Sequence, residues 1–289
     1  MATKALNATR IGGHACSYLA AGMREGRVAS PFRHGLSLLF EEESAPTYIS
    51  VQTPAAPLHP WAIEVPAMPP GIAVGAPAYA DSEQIHFLPL TMDHGPRTTD
   101  AAIHTLRAAC HELRITPYTT REIQRAASNR AACHRLLDER RPQSVEAFEG
   151  EVRAVVAQWQ TTGDLLLLAS LVGLGSGSTP SGDDVLVGIL AGLTALSALS
   201  AAKRQLDALR QVLAGVSLRT HPASWQMLAA AADGSFPEPL VDLVSALGDA
   251  EPGERLLAAA TCVLALGATS GQSLLAGVLA SVGRSWQFC

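Results

Sequence analysis

From Val185 to Ala202 the chain carries no charged residue, and a polar, glycine-rich stretch stands directly before that run. The stretch reads Gly173-Leu174-Gly175-Ser176-Gly177-Ser178-Thr179-Pro180-Ser181-Gly182-Asp183-Asp184. Thr is a favoured N-cap and Pro suits the first helical position, so a helix is expected to start at Thr179 or Ser181. With no charged face, its apolar body must be buried, and Leu186, Ile189, Leu190 and Leu193 are expected in the core. At 18 residues the run just reaches the length of a bilayer span, but its Ser, Thr and Gly content and lack of aromatic anchors favour a buried helix. A buried helix whose tip carries hydroxyls and two carboxylates reads as a site held in place by the core.

The tip fails the common phosphate cradles. Gly177 and Gly182 have P-loop spacing, but Asp183 and Asp184 stand where Lys and Ser/Thr belong. Gly173-x-Gly175 lacks the third glycine of a dinucleotide fingerprint, since Ser178 occupies that place. Two carboxylates repel a bare phosphate. Either a divalent cation such as Mg2+ bridges them to an anion, or they accept hydrogen bonds from an amide or amine. The plainer alternative is that both aspartates only cap their own helix.

A second copy of the pattern strengthens the site reading. Residues 181–190 align without gaps on residues 270–279, and Thr179 and Thr269 precede the two copies. Small residues recur at every fourth position, Gly188 and Gly192 in one, Gly277 and Ser281 in the other. Such faces let helix backbones approach closely. Two related helices are therefore expected to pack together, with Thr179–Asp184 and Thr269–Gly271 facing one pocket.

The rest of the chain frames this pair. The charge is −5, and the 21 basic residues form no basic block, which argues against nucleic acid as a partner. Five scattered cysteines with no Cys-x-x-Cys predict reduced thiols in a cytoplasmic protein rather than a disulfide frame or zinc site. Neither a signal peptide nor a membrane span is expected. Of the 18 prolines, 11 precede residue 97, and short apolar runs lie between them at 35–40, 48–52, 61–65, 71–74 and 85–90. That spacing predicts a β-barrel or sandwich. From residue 97 the periodicity is helical, with helices expected over 98–115, 119–140, 144–159, 164–171, 203–216, 236–247 and 254–266 besides the two motif helices. The fold class is α+β: a Pro-rich β domain over 1–96, then an all-helical domain over 97–289. His86, Asp93 and His94 read as loop residues. Cys110-His111 and Cys133-His134 are expected on exposed helices and lack a third catalytic partner.

The motif at 173–184 resembles the signature of a bacterial family long catalogued as a domain of unknown function, which includes the H subunit of oxamate carbamoyltransferase from allantoin breakdown. Arg219-Thr220 with Ser224, and the late element 267–271, extend the likeness. Ala268 and Ser273 stand where the family's late element carries His and Asp. The resemblance implies a role beside other subunits in transfer between carbamoyl phosphate and a small amide such as oxamate, or oxalurate in reverse. The residues agree with this in outline, with Asp184 or Asp183 expected as the base or as the carboxylate that orients the attacking nitrogen. Gly175, Gly177, Thr179, Ser181, Gly182, Arg219, Thr220, Ser224, Thr269, Ser270 and Gly271 are the residues expected to bind the small anion or amide. Buried carboxylates there need a cation, donors from the other tip, or Arg219 as compensation.

Two other classes compete. A non-catalytic subunit would use the motif as an inter-subunit joint or a ligand-binding element. A small-molecule kinase of the galactokinase type also has a β-rich front half and a Gly-rich phosphate loop, but Pro180 and the Asp pair do not fit such a loop.

Overall fold

The structure is a computed structural model that describes residues 6–43, 45–68, 71–87, 102–105, 110–139, 147–251 and 253–284. The chain divides into two compact units, Met1–Leu113 and Arg114–Cys289. The boundary expected near residue 97 falls outside the described residues.

The first unit is built on strands β1 (Leu6–Asn7), β2 (Arg10–Gly12), β3 (Arg24–Phe32), β4 (Gly35–Phe40), β5 (Thr47–Gln52), β6 (Ala62–Glu64), β7 (Pro77–Ala80), β8 (Gln84–Phe87), β9 (Ala102–Thr105) and β10 (Cys110–His111). Helix α1 (Gly13–Ala20) follows β2. Among the described residues the strands form one sheet in the order β1-β9-β8-β7-β3-β4-β5-β6-β2-β10. β1 is one edge and β2 lies next to the other, yet only Ala8 and Thr9 separate them. That link spans at most about 11 Å, so the sheet must curl, and it forms a half-barrel rather than a sandwich. Leu38, Ile49, Val51, Ile63 and Ile85 fill its interior together with Ala15 and Leu19 of α1. Near the second edge, Glu64 is buried, and burial alone would raise its carboxyl. Hydrogen bonds from Arg10 and Thr9 hold it below the ordinary value instead.

Four expectations fail in this unit. The described residues of 98–115 do not form the expected helix: β9 (102–105) pairs with β8 and β1, and β10 (110–111) pairs with β2. Sheet pairing overrides a weak 3.6-residue pattern in a stretch that holds β-branched Ile103 and Thr105. Residues 71–74 are a turn, because Gly71 and Gly75 have φ of +78° and +84°, outside the strand region. The cysteines are not all reduced, since Cys16 of α1 and Cys110 of β10 are joined as a disulfide, with Cα atoms 6.0 Å apart. Two residues 94 apart in sequence carry no spacing signal for such a pair. His86 lies on β8 rather than in a loop, and Asp93 and His94 fall outside the described residues.

The second unit holds α2 (Thr120–Glu139), α3 (Ala147–Thr162), α4 (Leu165–Ala169), α5 (Ser181–Ala195), α6 (Ser200–Ala214), α7 (Pro222–Ala232), α8 (Glu238–Leu247), α9 (Glu254–Leu264) and α10 (Ser270–Val282), with a 3₁₀ turn at Ser217–Arg219. No helix among the described residues is long and apolar enough to cross a membrane. The uncharged run is in fact two helices: α5 ends at Ala195, and α6 begins at Ser200. Tyr118 donates its backbone N–H to the Ala195 carbonyl at 2.7 Å and so stops α5 from outside. Cys133 is buried on α2 rather than exposed, and burial pushes its thiol up to about 11.

Helix α5 is the axis of this unit. Leu186, Ile189, Leu190 and Leu193 are all at 0% exposure. Its tightest neighbour is α10. A methyl placed on Gly188 would sit 2.1 Å from the Leu274 carbonyl oxygen, and one on Gly277 would sit 2.2 Å from that of Val185. Gly192 faces Ser281, whose hydroxyl donates to the Ile189 carbonyl at 3.2 Å. The small-residue faces read from the sequence are thus the contact between the two helices. Leu190→Ala should cost about 2–5 kcal/mol in urea melts through the cavity it leaves. Gly188→Ala should cost at least about 1–3 kcal/mol, because the added methyl meets backbone that cannot rotate away. A neutral Gly188→Ala would show that the helices slide apart freely.

Candidate functional site

The site begins with a duplicated backbone arrangement. After α4 the chain passes Leu171 and Leu174 and enters α5 at Gly182; after the body of α9 it passes Val263 and Leu266 and enters α10 at Gly271. Gly182 N–H donates to the Leu174 carbonyl at 2.8 Å, and Gly271 N–H to the Leu266 carbonyl at 2.9 Å. A methyl on Gly182 would lie 2.1 Å from the Leu171 oxygen, and one on Gly271 an equal 2.1 Å from the Val263 oxygen. The residue after each acceptor is a glycine at positive φ, Gly175 at +127° and Gly267 at +58°. The repeat in the sequence is therefore a repeat in structure, with a longer loop in the first copy.

The two tips meet. Thr179 Oγ1 and Ser270 Oγ are 3.2 Å apart, and Ser270 also hydrogen-bonds the Asp184 carboxyl. If Ser270 gives its proton to Asp184, it must accept one from Thr179. Pro180 caps α5 without a side-chain bond, so the helix starts at Ser181 and Thr179 is released to face the other tip. Thr269 is the N-cap of α10 and likewise makes no side-chain cap bond.

The aspartates are unlike each other. Asp183 is 1% exposed and fully used. Its Oδ1 accepts the Gly173 N–H at 2.8 Å, and its Oδ2 accepts hydroxyl protons from Ser224 at 2.6 Å and from Thr220. One carboxylate thereby ties the glycine loop, the segment before α7 and α7 itself to the first turn of α5. Asp184 is half-buried at its surface, but its Oδ2 is sealed from solvent and has no hydrogen-bond partner. Burial pushes its carboxyl up to about 7; the Ser270 bond opposes the rise and the charge of Asp183 adds to it. A carboxyl that titrates near neutrality with one open acceptor is suited to take a proton or to orient an N–H.

Other predicted residues take different places. Arg219 is exposed and donates to the Ala169 carbonyl at 3.1 Å, so compensation for Asp183 comes from neutral donors instead. Its carbonyl oxygen lies 2.0 Å from where a methyl on Gly173 would be, which explains that glycine beside its φ of +78°. The helix cap before α7 is His221, which accepts the Ala223 N–H at 3.2 Å, while Thr220 serves Asp183. Gly177 stands in open space on the exposed part of the loop. Ser181 lines a small cleft with Gln272 and Ser273 rather than joining Thr179. The open helix-tip N–H groups expected for an anion are mostly consumed, since Asp183 and Asp184 donate to the Pro180 carbonyl at 3.0 and 3.2 Å. A divalent cation bridging both carboxylates would have to displace the donors on Asp183, and among the described residues no group of three or more His, Cys, Asp or Glu could hold a metal ion. Sequence reasoning missed the Gly173 N–H and the Leu174 carbonyl, because backbone groups have no residue-type signal.

Residues 171–282 match the model of a family described as oxamate carbamoyltransferase subunit AllH. The match covers the duplicated unit and both tips, and it is the family that the motif resembles. No curated protein and no solved structure matches the chain.

The raised Asp184 carboxyl makes stability depend on pH in a stated direction. The folded protein binds this proton more tightly than the unfolded chain, so the contribution is full below about 4 and is lost as pH rises to about 7. Asp184→Asn should flatten that part of the curve, and at pH 8 it should be at least as stable as the parent in urea melts. A variant that loses stability equally at every pH would mean that Asp184 is ionised throughout.

Proposed function

We propose that this chain is a subunit of a carbamoyltransferase-type enzyme and that its paired helix tips bind a small amide that accepts the carbamoyl group. The sealed, unpartnered Oδ2 of Asp184 is the observation that carries this reading. A buried acceptor without a donor costs free energy, and an amide NH2 supplies the missing donor. Oxamate and related amides present such a group. In the forward step the amide nitrogen attacks the carbamoyl carbon of carbamoyl phosphate, the carbon–oxygen bond to phosphate breaks, and phosphate departs. The proton leaving the nitrogen passes to Asp184, whose Oδ2 lacks a donor and is uncovered when the two tips part to admit the amide. Ser270 holds the other carboxyl oxygen in place, and Asp183 supports the first turn without touching substrate. Binding of the phosphate is assigned to partner subunits, because the N–H groups of residues 182–184 are already taken. That same occupancy argues against a phosphate-loop kinase.

A second reading, in which the tips form a joint between subunits, is favoured by Leu218. This side chain is 99% exposed on the 3₁₀ turn whose carbonyl abuts Gly173. Asp184→Asn separates the two. The amide reading expects the assembled complex to form normally, with turnover reduced by roughly 100-fold or more, as for loss of a general base. Unchanged turnover in an intact complex would overturn it in favour of the joint.

A further inference from the structure

The duplication predicts a second polar corner, and the structure contains one. In the aligned copies Asp184 corresponds to Ser273, and Ser270 corresponds to Ser181. The Asp184–Ser270 contact lies on one side of the paired tips, and its counterpart is the pair Ser273 and Ser181. Both of these line a cleft together with Gln272 and Arg153. The cleft thus has hydroxyls and a cation where the first corner has carboxyls.

The cleft does not end there. Arg153, Val185 and Ala276 also line a wider hollow of about 350 Å³ that runs along the same faces of α2, α3, α5 and α10. The floor of this hollow is apolar, formed by Val185, Ala276 and Leu279 among others. Among the described residues no Asp or Glu lines either part. At the far rim, Arg130 is a second cation. His134 is held below its ordinary value, chiefly by burial and then by Arg130, against Asp138, so it is neutral at pH 7. A concave, mostly apolar surface with a few convergent polar groups is how small-ligand sites are built.

We infer that this groove binds a small carboxylate with an apolar tail, its head among Arg153, Ser181, Gln272 and Ser273 and its tail along the α5–α10 seam. The assignment rests on the cavity, its lining and the duplication, and it stands independently of the role given to Asp184. Arginine pairs with carboxylates through two parallel N–H bonds, and the hydroxyls and amide complete the head site. The seam supplies apolar contact without displacing any hydrogen bond.

Calorimetric titration of the full chain with hexanoate, hexanol and acetate tests this directly. Hexanoate is expected to bind at one site. Hexanol, which lacks the charge, and acetate, which lacks the tail, should each bind at least roughly tenfold more weakly. Arg153→Gln should weaken hexanoate by roughly tenfold, and Ala276→Leu, which fills the floor, should abolish its binding. Asp184→Asn should leave hexanoate binding unchanged, so failure at the first corner and failure here give different results. Equal binding of hexanol and hexanoate would overturn the head site. Binding that survives both groove variants, or no binding of hexanoate at all, would overturn the groove itself. Competition by oxamate would instead place the amide in this groove.

Discussion

The backbone-to-backbone approach of α5 and α10 is the constraint on which the helical unit depends. Gly188 and Gly277 face each other with no room for a methyl on either, and Gly192 meets Ser281 one turn further on. Dispersion between surfaces this close is strong per residue, and nothing needs to be desolvated beyond the Ser281 hydroxyl, which finds two carbonyls. Because the axes are held so near, the first turns of both helices are brought within hydrogen-bond reach. The Thr179–Ser270 and Ser270–Asp184 bonds follow from that approach.

Around this seam the unit sorts two neighbouring carboxyls into different tasks. Asp183 points toward the glycine loop and α7 and receives three donors, which satisfies it without a cation. Asp184, one residue on and so about 100° round the helix, points toward the partner helix and finds one donor, with its Oδ2 sealed from solvent. Adjacent identical residues thereby become a structural anchor and a carboxyl poised near neutrality. The glycine loop serves the anchor first: Gly173 has the conformation and the clearance to present its N–H to Asp183.

The same duplication that builds this corner leaves a second, chemically inverted one. Substitution of a serine for the aspartate position in the later copy removes the negative charge, and Arg153 from α3 adds a positive one.

The sequence by itself determined the parts that depend on local pattern. The uncharged run and the four-residue spacing of small residues required a buried helix with a close partner, and the internal alignment named that partner. The motif resembles the family whose model matches residues 171–282, and the proline distribution separated a β-rich front from helices behind. Tertiary structure decided what depends on long-range contact. Strands β9 and β10 exist because sheet neighbours pair with them, and Cys16 meets Cys110 because β10 pairs with β2, which leads into α1. The apolar run breaks at Ala195 because Tyr118, far upstream, caps it. Which aspartate is anchored and which is open was also beyond the sequence, since both lie in one first turn and differ only in what packs against them. Residue order encodes periodicity and steric size, whereas desolvation and hydrogen-bond satisfaction are properties of a position in the folded core.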